Sequence, residues 1–265
     1  MTNLEHADMA YEWEFNGINT YQKMSISMLD YHIKHEVTST ALSDSEIKMS
    51  QALKTQFPQY LNSLNLRDTQ NQPLTLDQNG NGSFKDYLIQ QLMASAQKAI
   101  DEGQDLSQVS YLTIEHHQVV DIDFEAYIKA IGRQKGVPAF DHLDLSSGEN
   151  QLFGTSDRDQ KHFTSYAMHR NIAPQAQMAD STIIKLMNPM NYLHQSPTKY
   201  WRIRVGTHDS DTSHAISAIL TTKLQNQHKN VDYGLVWGMP HSGDYDLTEL
   251  FRWINTISKP IQKYF

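Results

Sequence analysis

The fold of this chain is decided by two neighbouring stretches, WRIRVGTHDSDTS at residues 201–213 and VDYGLVWGMPHSGDYD at residues 231–246. Each stretch begins with an apolar run that predicts a β-strand and then opens into a polar turn. A last helix is predicted from about Asp246. The residues between the two stretches predict another helix, because their apolar members fall on one face: Ile216, Ile219, Leu220 and Leu224. The order is therefore strand, acidic turn, helix, strand, histidine turn, helix.

Asp209 and His241 stand where the two predicted strands end. Because the carboxyl ends of parallel strands meet at one edge of a sheet, these two side chains are expected to lie close together. A histidine held by a carboxylate is the general base of nucleophilic catalysis, and the order Asp then His is that of the α/β-hydrolase fold. On spacing alone, a turn-forming Asp and a surface His before a helix explain the same residues equally well.

The nucleophilic serine of such a triad is not recognisable in this chain. It would precede Asp209 in a G-x-S-x-G elbow between a strand and a helix, and the sequence contains no such motif. The segment GTSDR at residues 154–158 lacks the second glycine and a preceding strand. The other parallel strands of the fold are also missing, and two strands alone cannot bury both faces of a sheet.

Composition excludes several classes of protein. The 265 residues carry a net charge of −8 with acids and bases interspersed, which argues against a nucleic-acid partner. The chain has no cysteine, which excludes disulfides, thiol nucleophiles and zinc–thiolate sites. No apolar run reaches roughly 18 residues, and the N-terminal residues resemble no signal peptide. We therefore expect no membrane partner, and the absence of cysteine favours a cytoplasmic location.

The segment DQNGNG at residues 77–82 resembles the start of an EF-hand calcium loop. The two later ligand positions are occupied by Lys85 and Leu88, which cannot serve as the required oxygen ligands. A tight turn rich in Asn-Gly is therefore the preferred interpretation. The thirteen histidines are scattered without metal-binding spacing. We expect neither a metal nor another cofactor.

The first 195 residues predict mostly helical structure. A capping box begins a helix at Ser43 and Glu46, and apolar residues recur at helical spacing after Ser83. The region from Met24 to Ile33 is also predicted to be a helix. A small hairpin is expected at residues 109–122.

Motifs along the whole chain resemble those of the bacterial tannases, tannin acyl hydrolases of lactobacillus type with the α/β-hydrolase fold. These motifs are NLEHADMAYEW (3–13), PAFD (138–141), GEN (148–150), the stretch at 201–213, and PHSGDYDL (240–247). The resemblance implies an α/β chain with a partial α/β-hydrolase fold. Residues 1–195 would form a mostly helical lid domain, and residues 196–265 the last two βα units of the sheet. The N-terminal half with the nucleophilic serine and oxyanion hole would lie outside this sequence.

The resemblance also implies roles for five residues. Asp209 would orient and stabilise the histidine, and His241 would be the general base. Lys135, Glu149 and Asp211 would bind the hydroxyls of a galloyl ring, because two carboxylates and an ammonium can form charge-assisted hydrogen bonds with adjacent phenols. Without the resemblance, Lys135 is a solvated lysine near a helix C-terminus. The neighbouring cation Arg133 could exchange roles with it.

The expected function is a tannase-like serine ester hydrolase that cleaves galloyl esters and is inactive without the missing half. Its expected partners are a galloyl ester or gallate and that missing N-terminal half of the hydrolase domain. Two alternatives remain open at this point. One is a non-catalytic truncated product or phenolic-binding module, and the other is a feruloyl-type esterase of the same fold.

Overall fold

The computed structural model describes residues 4–29, 32–241, 243 and 245–258. It is a mixed α/β structure with small sheets. The strands are β1 (Thr20–Leu29), β2 (His32–Ala41), β3 (Leu112–Glu115), β4 (Gln118–Ile122), β5 (Tyr200–His208) and β6 (Asn230–Pro240). The helices are α1 (Leu4–Phe15), α2 (Asp44–Lys54), α3 (Phe57–Ser63), α4 (Ser83–Asp101), α5 (Phe124–Ile131), α6 (Gly148–Leu152), α7 (Ser165–Arg170), α8 (Ser181–Leu186), α9 (His214–Asn226) and α10 (Leu247–Ile257). None of the helices in these ranges is long and apolar enough to cross a membrane.

Helix α1 lies in the centre of the main hydrophobic core. Its aromatic side chains are almost wholly buried and join aromatic residues from α3, α4 and α5: Tyr11, Trp13 and Phe15 with Phe57, Phe84 and Phe124. Burying one such side chain contributes about 1.5–3 kcal/mol, so this cluster is a major source of stability. The same core includes Leu235 and Trp237 of β6, and it therefore joins the predicted helical part to the predicted βα units.

The two strands that the sequence predicts at the C-terminal end are present and parallel. β5 pairs with β6 from Tyr200↔Asn230 to His208↔Pro240, and α9 forms the crossover between them. The apolar face of α9 packs on one face of this sheet, where Leu220 and Leu224 meet Trp201 and Ile203. The ends of β5 and β6 are thereby brought together, as expected for a βαβ unit.

The prediction of a helix from Met24 to Ile33 is wrong. β1 and β2 form an antiparallel hairpin in register from Thr20↔Ala41 to Leu29↔His32. The apolar residues Met24, Ile26 and Met28 recur every second residue, which is the period of a strand and not that of a helix. Pairing between the two strands decided the outcome.

The other local signals correspond to what the structure contains. Ser43 and Glu46 form the reciprocal capping box of α2, and Asp123 caps α5 through the backbone N–H of Ala126. β3 and β4 form the small hairpin. In the segment at residues 77–82, Asp77 accepts backbone hydrogen bonds within a tight turn. The helix α4 begins after Gly82, and the Ser83 hydroxyl accepts a hydrogen bond from the backbone N–H of Thr75.

Candidate functional site

Asp209 and His241 lie together at the carboxyl ends of β5 and β6. The Nδ1 atom of His241 is 2.9 Å from Oδ2 of Asp209, and the two groups form an ion pair when the imidazole is protonated. The Asp209 carboxylate is almost buried, whereas the His241 side chain is 46% exposed. A buried carboxylate holding a half-exposed imidazole is the arrangement of a general base that must face a nucleophile.

The other oxygen of Asp209 is held by the turn itself. Oδ1 accepts hydrogen bonds from the backbone N–H groups of Asp211 and Thr212, at 2.9 and 3.0 Å. The turn leads directly into α9, whose N-terminus is capped by Ser213. Backbone donors and the positive end of a helix both stabilise an anion. The carboxylate is thereby held in place and oriented towards His241.

Two close contacts between the strands set the distance between these residues. The hydroxyl of Thr207 accepts a hydrogen bond of 2.8 Å from the backbone N–H of Gly238. At Gly206, an added Cβ would lie 2.1 Å from the carbonyl oxygen of Met239, closer than any real contact. Only a glycine therefore allows β5 and the end of β6 to approach this closely.

Lys135, Glu149 and Asp211 form a second cluster beside the pair. Nζ of Lys135 lies 3.6 Å from Oε1 of Glu149 and 3.7 Å from Oδ1 of Asp211. All three side chains line a cavity of about 1080 Å³. Nζ also lies 5.0 Å from the centre of the Phe140 ring, which favours a cation at this place. One ammonium and two carboxylates can thus contact adjacent hydroxyls of a ligand in this cavity.

Glu149 is positioned by a buried carboxylate that the sequence analysis did not single out. Oδ1 of Asp141 accepts hydrogen bonds from Asn150 and from Nδ1 of His162, and its Oδ2 accepts from Phe163 and Thr164. Asn150 follows Glu149 in the short helix α6. Because Asp141 is fully buried and all these donors point at it, the helix that carries Glu149 has little freedom.

Arg133 and Lys135 occupy different environments. Arg133 is buried, and its guanidinium makes two hydrogen bonds with the carboxylate of Glu12, at 3.1 and 2.7 Å. Lys135 faces the cavity. The structure therefore brings Lys135, and not Arg133, together with Glu149 and Asp211.

Two further residues near this cavity were missed by the sequence analysis. Tyr11 contacts both the Asp209 turn and the backbone of Lys135. His142 lines the cavity, and burial lowers the pKa of its imidazole although neighbouring Asp144 and Glu149 act in the opposite direction. Both residues lie in or beside motifs of the predicted resemblance, NLEHADMAYEW and PAFD, but no local pattern assigns them a role.

Asp209, Asp211 and His241 offer three ligand atoms within 4.8 Å of one another, a set that could hold a metal ion. Three hydrogen bonds already occupy the Asp209 carboxylate, and the Lys135 ammonium stands beside Asp211. A cation would compete with both. The geometry of this donor set therefore fits a hydrogen-bonded pair beside a charged cluster better than a metal centre.

Comparison with solved structures finds close similarity to tannases. A tannase from Lactobacillus plantarum is 45% identical, with a TM-score of 0.93, over 97% of this chain and 56% of that one. A tannase from Fusobacterium nucleatum is 46% identical, with a TM-score of 0.91, over 98% of this chain and 57% of that one. A tannin acyl hydrolase in complex with ethyl gallate is 46% identical, with a TM-score of 0.90, over 97% of this chain and 54% of that one.

These matches confirm the predicted resemblance to bacterial tannases. The chain spans just over half the length of the structures it matches. No protein-family model matches the chain, and no curated protein matches it.

Proposed function

We propose that this chain, a relative of bacterial tannases over just over half of their length, carries the acid–base end and the ring-binding end of an ester hydrolase for galloyl esters. The observation that carries the proposal is one turn with two roles. Asp209 holds His241 at 2.9 Å, and two residues later Asp211 stands with Lys135 and Glu149 around a cavity. A base and a phenol-binding cluster are thus separated by a single turn.

The chemical step that these residues support is acyl transfer to a serine. Since Nδ1 of His241 donates to Asp209, the lone pair that can accept a proton is on Nε2. His241 takes the proton of the serine hydroxyl as the serine attacks the galloyl ester carbonyl, and returns it to the departing alcohol. Water then attacks the acyl-enzyme with the same base and releases gallate. The serine and the oxyanion donors come from a part of the hydrolase domain that this sequence does not include.

The position of β5 supports a partial α/β-hydrolase fold. Within the residues that the structure describes, β5 pairs with β6 alone and has no strand at its other edge. Parallel sheets are normally covered on both faces, and α10 buries none of its described residues. Residues 196–265 would be the end of the hydrolase sheet and residues 1–195 its lid. The partner that completes the sheet is the remaining half of the hydrolase domain.

Hydrolysis of methyl gallate tests this proposal. The chain alone is expected to release no more gallate than its His241→Ala variant. Mixed or coexpressed with a polypeptide that carries the remaining part of a related tannase and its serine, it is expected to hydrolyse the ester. Asp209→Asn should then lower the rate by about 10⁴-fold. Hydrolysis by the chain alone would contradict the proposal that His241 requires a serine from the remaining half of the hydrolase domain.

A phenolic-binding module is the second candidate, because Lys135, Glu149 and Asp211 are all present whereas a G-x-S-x-G elbow is not. Calorimetry with gallate addresses it. The wild-type chain should bind gallate, Lys135→Met should lose most of the affinity, and Lys129→Met, an exposed lysine on α5, should lose none. Gallate binding without hydrolysis in any reconstituted mixture would favour the module. Absence of both would overturn the proposed function.

A feruloyl-type esterase is less well matched by this cluster. A methoxy group on the ring offers no proton to a carboxylate, and the cluster places two carboxylates, Glu149 and Asp211, beside one ammonium. Hydroxyls that donate as well as accept satisfy such a set. A reconstituted enzyme that cleaves ferulates but not gallates would favour the feruloyl alternative.

A further inference from the structure

The hydroxyl of Tyr11 lies where the two halves of the ring-binding cluster meet. It donates a hydrogen bond of 2.7 Å to the carbonyl oxygen of Ser210, between Asp209 and Asp211. The Tyr11 hydroxyl oxygen also accepts hydrogen bonds from the backbone N–H groups of Gln134 and Lys135, at 3.1 and 3.2 Å. One phenol oxygen therefore connects the backbone of Lys135 to the turn that carries Asp211.

The surroundings of Tyr11 leave its hydroxyl few other hydrogen-bond partners. The residue is completely buried in α1, its ring packs against Phe15 and Phe140, and burial keeps the pKa of its phenol above the ordinary value. The phenol thus stays protonated and can donate. A polar group that loses its partner away from water costs about 1–3 kcal/mol, and the three backbone groups that share this oxygen are partly buried.

The segment that contains Lys135 is held from its other side by Arg133. Its guanidinium donates to the carbonyl oxygens of Lys135 and Gly136, at 2.9 and 3.0 Å. A separate link runs from the hydroxyl of Ser210 to the side chain of Gln134, at 3.0 Å. Arg133 anchors the carbonyl groups of the segment to α1 through Glu12, whereas Tyr11 anchors its N–H groups to the Asp209 turn.

We propose that Tyr11 is a positioning residue that holds the Lys135 ammonium at its working distance from the Asp211 carboxylate. This inference rests on the proposed function, because the distance matters only if both groups contact one ligand. A ligand with several adjacent hydroxyls uses Lys135 and Asp211 together. A ligand with a single hydroxyl uses fewer of these groups. Tyr11 therefore contributes to selectivity for polyhydroxylated rings, and not merely to the stability of α1.

Tyr127 provides a matched control. It is also completely buried, and its hydroxyl also donates to a carbonyl oxygen at the end of β5, that of Thr207. It makes no contact with Gln134 or Lys135 among the hydrogen bonds of the described residues. Tyr11→Phe and Tyr127→Phe therefore remove the same group from comparable sites. Only Tyr11→Phe removes the link between the backbone of Lys135 and the turn that carries Asp211.

Calorimetry with gallate and 4-hydroxybenzoate on the whole chain tests the proposal. Tyr11→Phe should weaken gallate binding about tenfold, which corresponds to the loss of about one hydrogen bond, and should weaken 4-hydroxybenzoate binding less. The preference for gallate should therefore shrink in Tyr11→Phe and persist in Tyr127→Phe. Equal effects of the two substitutions on this preference would overturn the proposal.

Amide hydrogen exchange gives a readout that needs no ligand. In the wild-type chain, the amides of Gln134 and Lys135 should exchange slowly, and in Tyr11→Phe they should exchange faster while Tyr127→Phe leaves them unchanged. Exchange in the wild type at the rate of solvent-exposed amides would overturn the inference, even if Tyr11→Phe failed to fold. If the wild type binds no gallate, the proposed function fails, and exchange still decides whether Tyr11 holds the segment.

Discussion

At the scale of single residues, the site depends on buried charges that hold the turn after β5. His214, the first residue of α9, is completely buried. Its two ring nitrogens face acceptors only: Nδ1 lies 2.5 Å from Oε1 of Glu14, and Nε2 lies 3.0 Å from the carbonyl oxygen of Gly206. Both nitrogens can donate only in the imidazolium form. The same carbonyl accepts from the backbone N–H of Asp209, so His214 helps to place Asp209.

The protonation of His214 should make stability depend on pH. Burial lowers the pKa of His214, but the charge of Glu14 and the hydrogen bonds to Glu14 and Gly206 outweigh it and raise this pKa above 6.5. The stabilisation is therefore complete below about pH 6.5 and is lost as the pH rises through the raised pKa. Urea unfolding between pH 6 and 9 should show the contribution of this group as a decreasing free energy of unfolding.

Glu14→Gln is the control for this prediction. Without the carboxylate, burial dominates, the pKa of His214 should fall below 6.5, and its contribution to stability should instead increase as the pH rises towards 6.5. Breaking the buried pair should also cost about 3 kcal/mol at pH 7. A titration of the His214 ring by NMR measures both pKa values directly. An unchanged pKa in Glu14→Gln would contradict the assignment.

At the scale of secondary-structure elements, the βα units were predictable and the first hairpin was not. The apolar residues of β5, α9 and β6 follow clear local patterns, and the three elements together have the length expected of a βαβ unit. In β1, the period of two was present but short, and Met and Leu favour helices when taken singly. Pairing with β2 supplied the hydrogen bonds that decided this segment.

The approach of β5 to β6 should tolerate no side chain at Gly206. Gly206→Ala places a Cβ 2.1 Å from the carbonyl of Met239, so the strand ends must separate. We expect a loss of about 1–3 kcal/mol in unfolding free energy and a longer distance between Asp209 and His241. Gly234→Ala is the matched control, since the atoms nearest to its Cβ would be those of the Arg204 side chain, at 3.5 Å. Equal losses in urea unfolding would contradict this explanation.

At the scale of the whole molecule, two exposed features are of a kind that is usually covered. The α10 helix exposes Leu247, Phe251 and Ile254, and within the described part of the chain one edge of β5 pairs with no other strand. Beneath α10, Arg202 and Arg204 pair with Asp232 and Asp246. Apolar residues grouped on one helix together with an unpaired strand edge are typical of a surface that another segment covers.

The isolated chain should therefore bind hydrophobic dyes and associate as its concentration rises. Phe251→Ser, which removes a side chain that is 65% exposed, should lower both. Leu186→Ser is the control, because this leucine of α8 is 59% exposed but lies on a different helix. Dye fluorescence and sedimentation measure the two effects. A monomer with a sharp cooperative melt and no dye binding would contradict the proposal of a missing half.

The sequence by itself determined the order of strands, helices and turns around Asp209 and His241, because periodicity and turn chemistry are local properties. Its motifs also indicated the tannase resemblance and the residues Lys135, Glu149 and Asp211. Only the tertiary structure decided which of two nearby cations faces the cavity. Arg133 turns inward because Glu12, far away in the sequence, offers it a buried carboxylate. Lys135 faces the cavity instead. Its backbone N–H donates to the hydroxyl of Tyr11 in α1, a contact that no local sequence pattern could have predicted.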